Sequence, residues 1–510
     1  MRIRGKHILS AAIFLTSSLA FAQSGIGPIS NSVPNARQRQ GNPATVISAG
    51  YSLRRLVDGA FPLENPSGVI TSFGVLSTGT LTEPDENTYL VFNSNPGGPA
   101  QGFDYGRHFL FQGHENGNGL AYITRVNLDV TDTAHKVTLL TPPDSATGLT
   151  GFSSIDGSTY DPFTNTLLFT QEAGSSGGVV EVSAAWPPVL KTLDGILGRG
   201  GYEGIHPDDL GNLLIIEDAG GTSVNVDPND ATSPKVAKQP NSFVYRFLPK
   251  DPTNISAGGI LQALRVTIGG TPLTFHSLDP VGDTFSQAQL DLHTPGTSYD
   301  VDWVKVHDTD VDGTASFGAN AAAKKAGATP FKRPENAQFL PRSNFLTFFF
   351  DPTGDTDAGS GNTPALAQRG SWGSILRVDL NPDRNTGKIS ILVLGDAAHA
   401  SFDNLTFADD HTLLATEDRG DTLHIQLDTL DSVWAFATDG SAAPRRFVAL
   451  GRDHLSAQGE DNEPTGLHVS TGSTSAADLP GTFSNLVNPR AFVTRQHGYN
   501  QLWEIVKDSD

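Results

Sequence analysis

Carboxylates at matched spacing are the chemical signature of this sequence. Residues 156–172 read DGSTYDPFTNTLLFTQE, 203–218 read EGIHPDDLGNLLIIED, 335–351 read ENAQFLPRSNFLTFFFD and 403–418 read DNLTFADDHTLLATED. Each stretch opens on an acid and closes on another 15 or 16 residues later. Three closing acids run into glycine, as QEAG, EDAGG and EDRG. One such ending is an ordinary turn, since Asp tolerates turn geometry and Gly supplies positive φ. Matched pairs in four stretches imply more: Asp156, Glu172, Glu203, Glu217, Asp218, Glu335, Asp351, Asp403, Glu417 and Asp418 are expected to converge. Like charges that close push one another's pKa up and cost stability. Hard cations remove that cost. Ca²⁺ takes six to eight oxygen ligands; Fe³⁺ or Zn²⁺ would call for added histidine, so the oxygen-rich inventory favours Ca²⁺.

Other residues could act beside these acids. Arg333 stands two residues before Glu335 in FKRPEN, and its fork matches either phosphate oxygens or a neighbouring carboxylate. Arg419, between Asp418 and Gly420, has the same two readings. His114-Glu115 ends a strand and offers a ligand, a proton donor or a capped surface loop. His108, His276 and His411 read as surface residues. The DTDVDG run at 308–313 opens like a Ca²⁺ loop but lacks the closing Glu. The chain has no G-x-S-x-G elbow, H-E-x-x-H pair or P-loop.

The elements that must position these residues are strands. The chain has 54 Gly and 32 Pro, and its apolar runs are short and bounded by Gly, Asn, Asp and Pro. After three of the acid pairs comes a further strand, FVYRFLP at 243–249, SILRVDL at 374–380 and SVWAFAT at 432–438. Weaker copies flank them: HFLFQGHENG at 108–117 with YITRVNL at 122–128, and a last one running from Glu463 to LWEIV. Six strand-rich units that cannot bury their faces alone imply radial repetition. The expectation is an all-β fold, a β-propeller with six blades, or else seven, or a propeller with a small extra lobe. Blade strands parallel to the axis would bring equivalent acids to one mouth. Residues 23–510 in six units give about 81 residues each, above the ~40–50 of common blades. Long insertions are therefore expected, at 222–241, 252–300 and 470–488. The best short helix candidate is Asn320–Ala326.

Arg2, Arg4 and Lys6 precede an apolar stretch from Ile8 to Ala20, and Ala20-Phe21-Ala22 is a small-x-small cleavage site. Residues 1–22 thus read as a Sec-type signal peptide, and residues 23–510 as one exported domain in the periplasm or the medium. No segment approaches the ~20 apolar residues of a membrane span. With no cysteine, disulfides and thiolate ligands are excluded. The net charge of −21 becomes −24 once the three basic leader residues are removed. Nothing supplies the basic stripe that nucleic acid needs.

The ordered blocks YEGIHPDDLGNLLIIEDAGG, NSFVYRFLPKDP, DWVKVHD, FKRPEN, SWGSILRVDL and FDNLTFADDHTLLATEDRGD resemble the PhoX-type alkaline phosphatases, over residues from about 104 to 440. The resemblance implies a six-bladed propeller hydrolysing phosphomonoesters with iron and calcium on its axis and no serine nucleophile. It implies metal ligation by Glu172, Glu203, Asp218, Glu335, Asp403 and Asp418. It makes Arg333 the residue that would hold phosphate; Arg333 and Glu335 are the catalytic candidates, and the reading of the residues themselves adds His114 and Arg419 to Arg333 as substrate-binding candidates. The family's iron-binding Cys falls near Asp156, which is expected to replace it as a ligand for Ca²⁺ or Fe³⁺. The partner is then a small phosphoester, and the protein a monomer. The alternatives are a Ca²⁺-dependent propeller hydrolase acting on phytate-like or lactone substrates, and a non-enzymatic propeller locked by Ca²⁺ that binds a partner.

Overall fold

Short Val-, Ile-, Leu- and Phe-rich runs pair antiparallel throughout the chain, because each is ended by turn residues that send the next run back beside it. The computed structural model describes residues 26–452 and 462–508; the expected signal peptide lies outside the described residues.

Six strands line a common axis: Glu83–Val91, Ile155–Asp161, Tyr202–Pro207, Pro334–Phe339, Phe402–Asp409 and Pro464–Ser470. Each packs against the next, and the last returns to the first, so they form a closed ring. Outward from each runs an antiparallel sheet, and together these make a β-propeller. The sixth sheet is completed from the other end of the chain, where Tyr51–Val57 pairs with Leu502–Lys507. Val46–Ile47 likewise pairs with Arg445–Ala449 on the fifth.

The apolar faces of neighbouring sheets hold the ring together. Leu168 and Val179 of the second unit meet Ile205, Leu213, Ile215 and Tyr245 of the third, all buried. Phe349 of the fourth packs edge-on to Phe407 of the fifth, with centroids 5.8 Å apart. A buried Phe or Leu contributes about 1.5–3 kcal/mol, so these interfaces offset a polar axis.

One expected insertion is largely sheet. Within 252–300 the run GILQALRVTI alternates buried and half-exposed residues and forms the strand Gly259–Ile268, as period-two patterning requires. Tyr299–Asp308 pairs with it and with Thr386–Leu394. This strand welds the third and fourth units into one ten-stranded sheet. Six strands therefore surround the axis, although the large sheets number five. The remainder of 252–300 carries two short helices, Pro280–Phe285 and Gln287–Leu292. The expected helix is present as Ala319–Ala326, ended by Gly327 at φ 74°, a left-handed cap that glycine adopts without strain.

Candidate metal centre at the propeller axis

All six inner strands carry a β-bulge at the same height, where two residues oppose one on the neighbouring strand. The bulged pairs are Asp85-Glu86, Asp156-Gly157, Glu203-Gly204, Glu335-Asn336, Asp403-Asn404 and Gly466-Leu467. A bulge re-aims a side chain that the pleat would otherwise direct elsewhere. Here the first bulged residue is an acid in five strands of six, and all five acids line one cavity of about 210 Å³. Close packing makes Gly157 obligatory: a Cβ there would lie 2.1 Å from the Glu203 carbonyl oxygen.

The neighbouring strands supply the other carboxylates. Glu115, Glu172 and Asp418 line the same cavity, and Asp218 groups with its acids Glu203 and Glu335; in chain order the four, Glu115, Glu172, Asp218 and Asp418, stand just at or past their strands' ends. The residue before each of the last three faces away, because consecutive strand residues take opposite faces. Glu217 accepts hydrogen bonds from Tyr245 Oη (2.9 Å), Asn320 Nδ2 (3.0 Å) and the Phe243 amide (3.2 Å). Glu417 is taken by Arg419, at 2.5 Å. These acids brace sheets, and the expectation that Glu217 and Glu417 reach the mouth is corrected. Asp351 is corrected too. It lies opposite the bulge, is fully buried, and accepts from the Asn336 amide at 3.0 Å.

Three groups of carboxylates have oxygens within 4.8 Å of one another: Asp85, Glu115 and Asp156; Asp156, Glu172 and Glu203; Glu203, Asp218 and Glu335. Asp156 and Glu203 each belong to two groups, so the three form one continuous arc. At 4.8 Å and an effective dielectric near 20, each pair of ionised acids repels by roughly 3 kcal/mol. Several such pairs would exceed the usual net stability of a domain, so the arc must hold protons or cations. Burial and then the neighbouring acids push Asp156, Glu172, Glu203 and Asp403 well above the ordinary carboxylate range. Asp85 is pushed up to about 6 and Glu335 to about 7, burial leading in both. Asp218 Oδ1 is buried without a hydrogen-bond partner. An orphaned carboxylate oxygen and an all-oxygen donor set fit a hard cation.

A stability measurement follows from these shifts. Raised carboxyl pKa values mean that the folded chain keeps protons which the unfolded chain releases, so stability falls with rising pH. For Asp85 and Glu335 the loss runs from the ordinary values of 3.8 and 4.5 up to about 6 and about 7, and Asp156, Glu172, Glu203 and Asp403 act in the same direction. Chelator-treated protein is therefore expected to melt at a lower temperature at pH 8 than at pH 5. Added Ca²⁺ should abolish most of that difference. A chelated melting temperature that rises over this interval would refute the argument.

Arg333 is the cavity's cation. Its backbone is left-handed, at φ 53°, a strained conformation for a non-glycine residue. The preceding Lys332 turns inward to a buried Asp355, 2.9 Å away. Arg333 Nε and Nη2 bind Asp218 Oδ2, each at 2.8 Å, and Nη2 lies 3.3 Å from Glu335 Oε1. Nη1 is engaged by neither acid. Of the two readings of this arginine, the pairing with neighbouring carboxylates is the one present.

The structure brings Asp156, Glu172, Glu203, Arg333, Glu335, Asp403 and Asp418 to one cavity, with Asp218 paired to its Arg333. Asp403 and Asp418 belong to none of the three close groups found among the described residues. Two expected substrate-binding residues are elsewhere. His114 is fully buried, stacked on Tyr122 at 4.3 Å and hydrogen-bonded to Thr124 Oγ1 at 2.8 Å. Burial holds its pKa well below the usual range. It is a core residue, and its neighbour Glu115 faces the cavity instead. Arg419 is also buried, spent on Glu417 and on the carbonyls of Ala397 and Ala398.

Sequence reasoning missed Glu83, Asp85, Gln496 and His497, and set aside Glu115 and Glu463, all of which line the cavity. Gln496 Nε2 donates to Asp85 Oδ2 (2.7 Å) and Glu115 Oε1 (3.2 Å), tying the first and sixth units together. In the first unit the acids Asp85 and Glu115 are 30 residues apart, double the spacing elsewhere, because a long loop separates the strands. The acid-Asn pairs in DEN, EN and DN were the available signal.

Fold and site together define a β-propeller with a carboxylate-rich cavity on its axis. The family described as alkaline phosphatase PhoX matches residues 146–470, well over half of the sequence. The chain belongs to the alkaline phosphatase PhoX family. No curated protein sequence matches the chain. Solved structures resemble it remotely. TolB from Acinetobacter baumannii is 8% identical, with 84% of this chain and 65% of that chain covered, at a TM-score of 0.31. The PQQ-bound aldose sugar dehydrogenase from Streptomyces coelicolor is 11% identical, with 90% and 99% covered, at 0.33. The WD40 domain of Toxoplasma gondii coronin is 10% identical, with 92% and 90% covered, at 0.34.

Proposed function

We propose that this protein is an exported, metal-dependent hydrolase of phosphomonoesters that works at the axial cavity. The carrying observation is the continuous arc of three carboxylate groups with Arg333 at one end. An acidic protein repels a phosphate dianion, so its site needs a surplus of positive charge. Asp85, Glu115, Asp156, Glu172, Glu203, Asp218 and Glu335 would hold cations, Ca²⁺ foremost given the oxygen donors, with Asp403 and Asp418 on the remaining wall. Bound cations supply Lewis acidity and lower the pKa of coordinated water. Asp156, at the place of the family's cysteine, serves two adjacent groups, as a substitute ligand must.

The chain's own contribution is orientation. Asp218 holds Arg333 through Nε and Nη2 and leaves Nη1 for a phosphoryl oxygen. Fixing the fork before substrate arrives reduces the entropy lost on binding. Glu335 is fixed in turn by Thr353 Oγ1. Export follows the leader reading, and no helix among the described residues is long and apolar enough to cross a membrane.

The deciding experiment measures metal content and p-nitrophenyl phosphate hydrolysis of the purified protein, with and without chelator. Bound calcium with chelator-sensitive turnover is the expected result. Bound cation without turnover on phosphomonoesters, phosphodiesters or phytate would leave a metal-locked propeller and end the phosphatase reading.

A further inference from the structure

Beneath the carboxylate arc a hydrogen bond crosses the axis itself. Asn336 Nδ2 donates to Glu86 Oε1. Their strands, Pro334–Phe339 and Glu83–Val91, stand diametrically opposite in the ring of six. Both residues occupy the second position of their bulge, next to a cavity acid: Glu86 follows Asp85 and Asn336 follows Glu335. The bond continues at each end. Glu86 Oε2 accepts from the Ser158 amide at 2.7 Å, and Asn336 Oδ1 accepts from His206 Nε2 at 3.1 Å. One chain of hydrogen bonds therefore ties four of the six inner strands together. Gly204 leaves the room it needs, since a Cβ there would lie 2.7 Å from Asn336 Oδ1. A separate cavity of about 20 Å³, lined by Glu86, Asn87, His206, Gln338 and His468, lies beyond it. Glu86 lines this second cavity, while Asp85, the residue before it, lines the first.

We propose that Glu86 and Asn336 are positioning residues, a bar across the axis that sets the span of the carboxylate arc. This rests on the reading of the cavity as a cation site. Propeller units touch only their neighbours, so side chains meeting across the axis are the direct means of fixing opposite walls relative to one another. With the bar in place, Asp85 and Glu335 are held one residue from its two ends. Without it the first and fourth strands are free to part, and the arc loses its geometry.

The test uses the mature protein, stripped with chelator and titrated with CaCl₂ by calorimetry at 25 °C, with folding checked by circular dichroism. Asn336→Ala and Glu86→Ala are each expected to weaken the tightest Ca²⁺ binding by about 10- to 100-fold, the usual cost of losing an outer-shell partner. Glu86→Gln keeps an acceptor for Asn336 but turns an NH2 toward the Ser158 amide and gives up that link; it should bind Ca²⁺ more tightly than Glu86→Ala, within about tenfold of the parent. If one alanine variant does not fold, the other is read against Glu86→Gln. The bar is overturned if the alanine variants bind Ca²⁺ within twofold of the parent, even with a lowered melting temperature. It is also overturned if Glu86→Gln, which keeps the bond to Asn336, binds as weakly as Glu86→Ala, since that bond would then add nothing. A parent that binds Ca²⁺ but hydrolyses nothing sinks the phosphatase reading and leaves this test intact.

Discussion

Glu203→Gln is expected to lower kcat/KM for p-nitrophenyl phosphate by about a thousandfold while leaving the fold intact. Glu203 is shared by two of the three carboxylate groups, so one substitution weakens two cation positions. Loss of a single preorganised charge stabiliser commonly costs about 10²–10³ in rate, and a shared one belongs at the upper end. Gln is isosteric with Glu and removes only the charge. A second readout makes the result unambiguous. In chelator-treated protein the same change removes a buried carboxylate from a repelling cluster, so the metal-free melting temperature at pH 8 should rise. Loss of turnover together with a more stable apo form identifies a ligand. Turnover within tenfold of the parent would remove Glu203 from the working site.

Arg333→Lys is expected to lower kcat/KM by about a hundredfold and to raise the inhibition constant of inorganic phosphate in parallel. The lysine keeps a positive charge beside Asp218 and Glu335, so the ion pairing survives in part. It loses the planar fork that binds the carboxylate through Nε and Nη2 while leaving Nη1 for a phosphoryl oxygen. If Arg333 were only a structural counter-charge, Lys would substitute well, and phosphate inhibition would be unchanged. That outcome would move the substrate contact elsewhere in the cavity. Arg333→Ala should do more damage, because Asp218 and Glu335 would lose their partner in a buried setting.

The repeated acids illustrate how far local pattern carries. In the second, third and fifth units the closing residues are Gln171-Glu172, Glu217-Asp218 and Glu417-Asp418. Only the second member of each pair turns to the cavity acids: Glu172 and Asp418 line the cavity, and Asp218 groups with Glu203 and Glu335. Their alternation is a property of any strand, but its phase depends on where pairing stops. Asp351 shows the consequence: its strand runs on to Pro352, so it is buried opposite the bulge while Thr353 reaches Glu335. His114 and Glu115 differ by one residue in the same way. A spacing count good to one residue cannot separate a ligand from a core side chain, because one step reverses the face.

What the sequence determined by itself was the mostly β character, the radial repetition and the concentration of acids at strand ends. These are written in short-range composition: turn residues, apolar runs and the spacing of carboxylates within a unit. It also carried the family resemblance through ordered blocks. Tertiary structure alone decided which carboxylates group together, since one group joins Glu203 to Glu335, 132 residues apart. It supplied Asp85, whose partner acid is displaced by a loop, and the Glu86–Asn336 bar, which joins residues |i−j| = 250 apart. It also buried His114 and Arg419. The physical reason is common to all of these. Ring closure brings opposite walls together at a distance set by every intervening sheet, and no local stretch of chain records that distance.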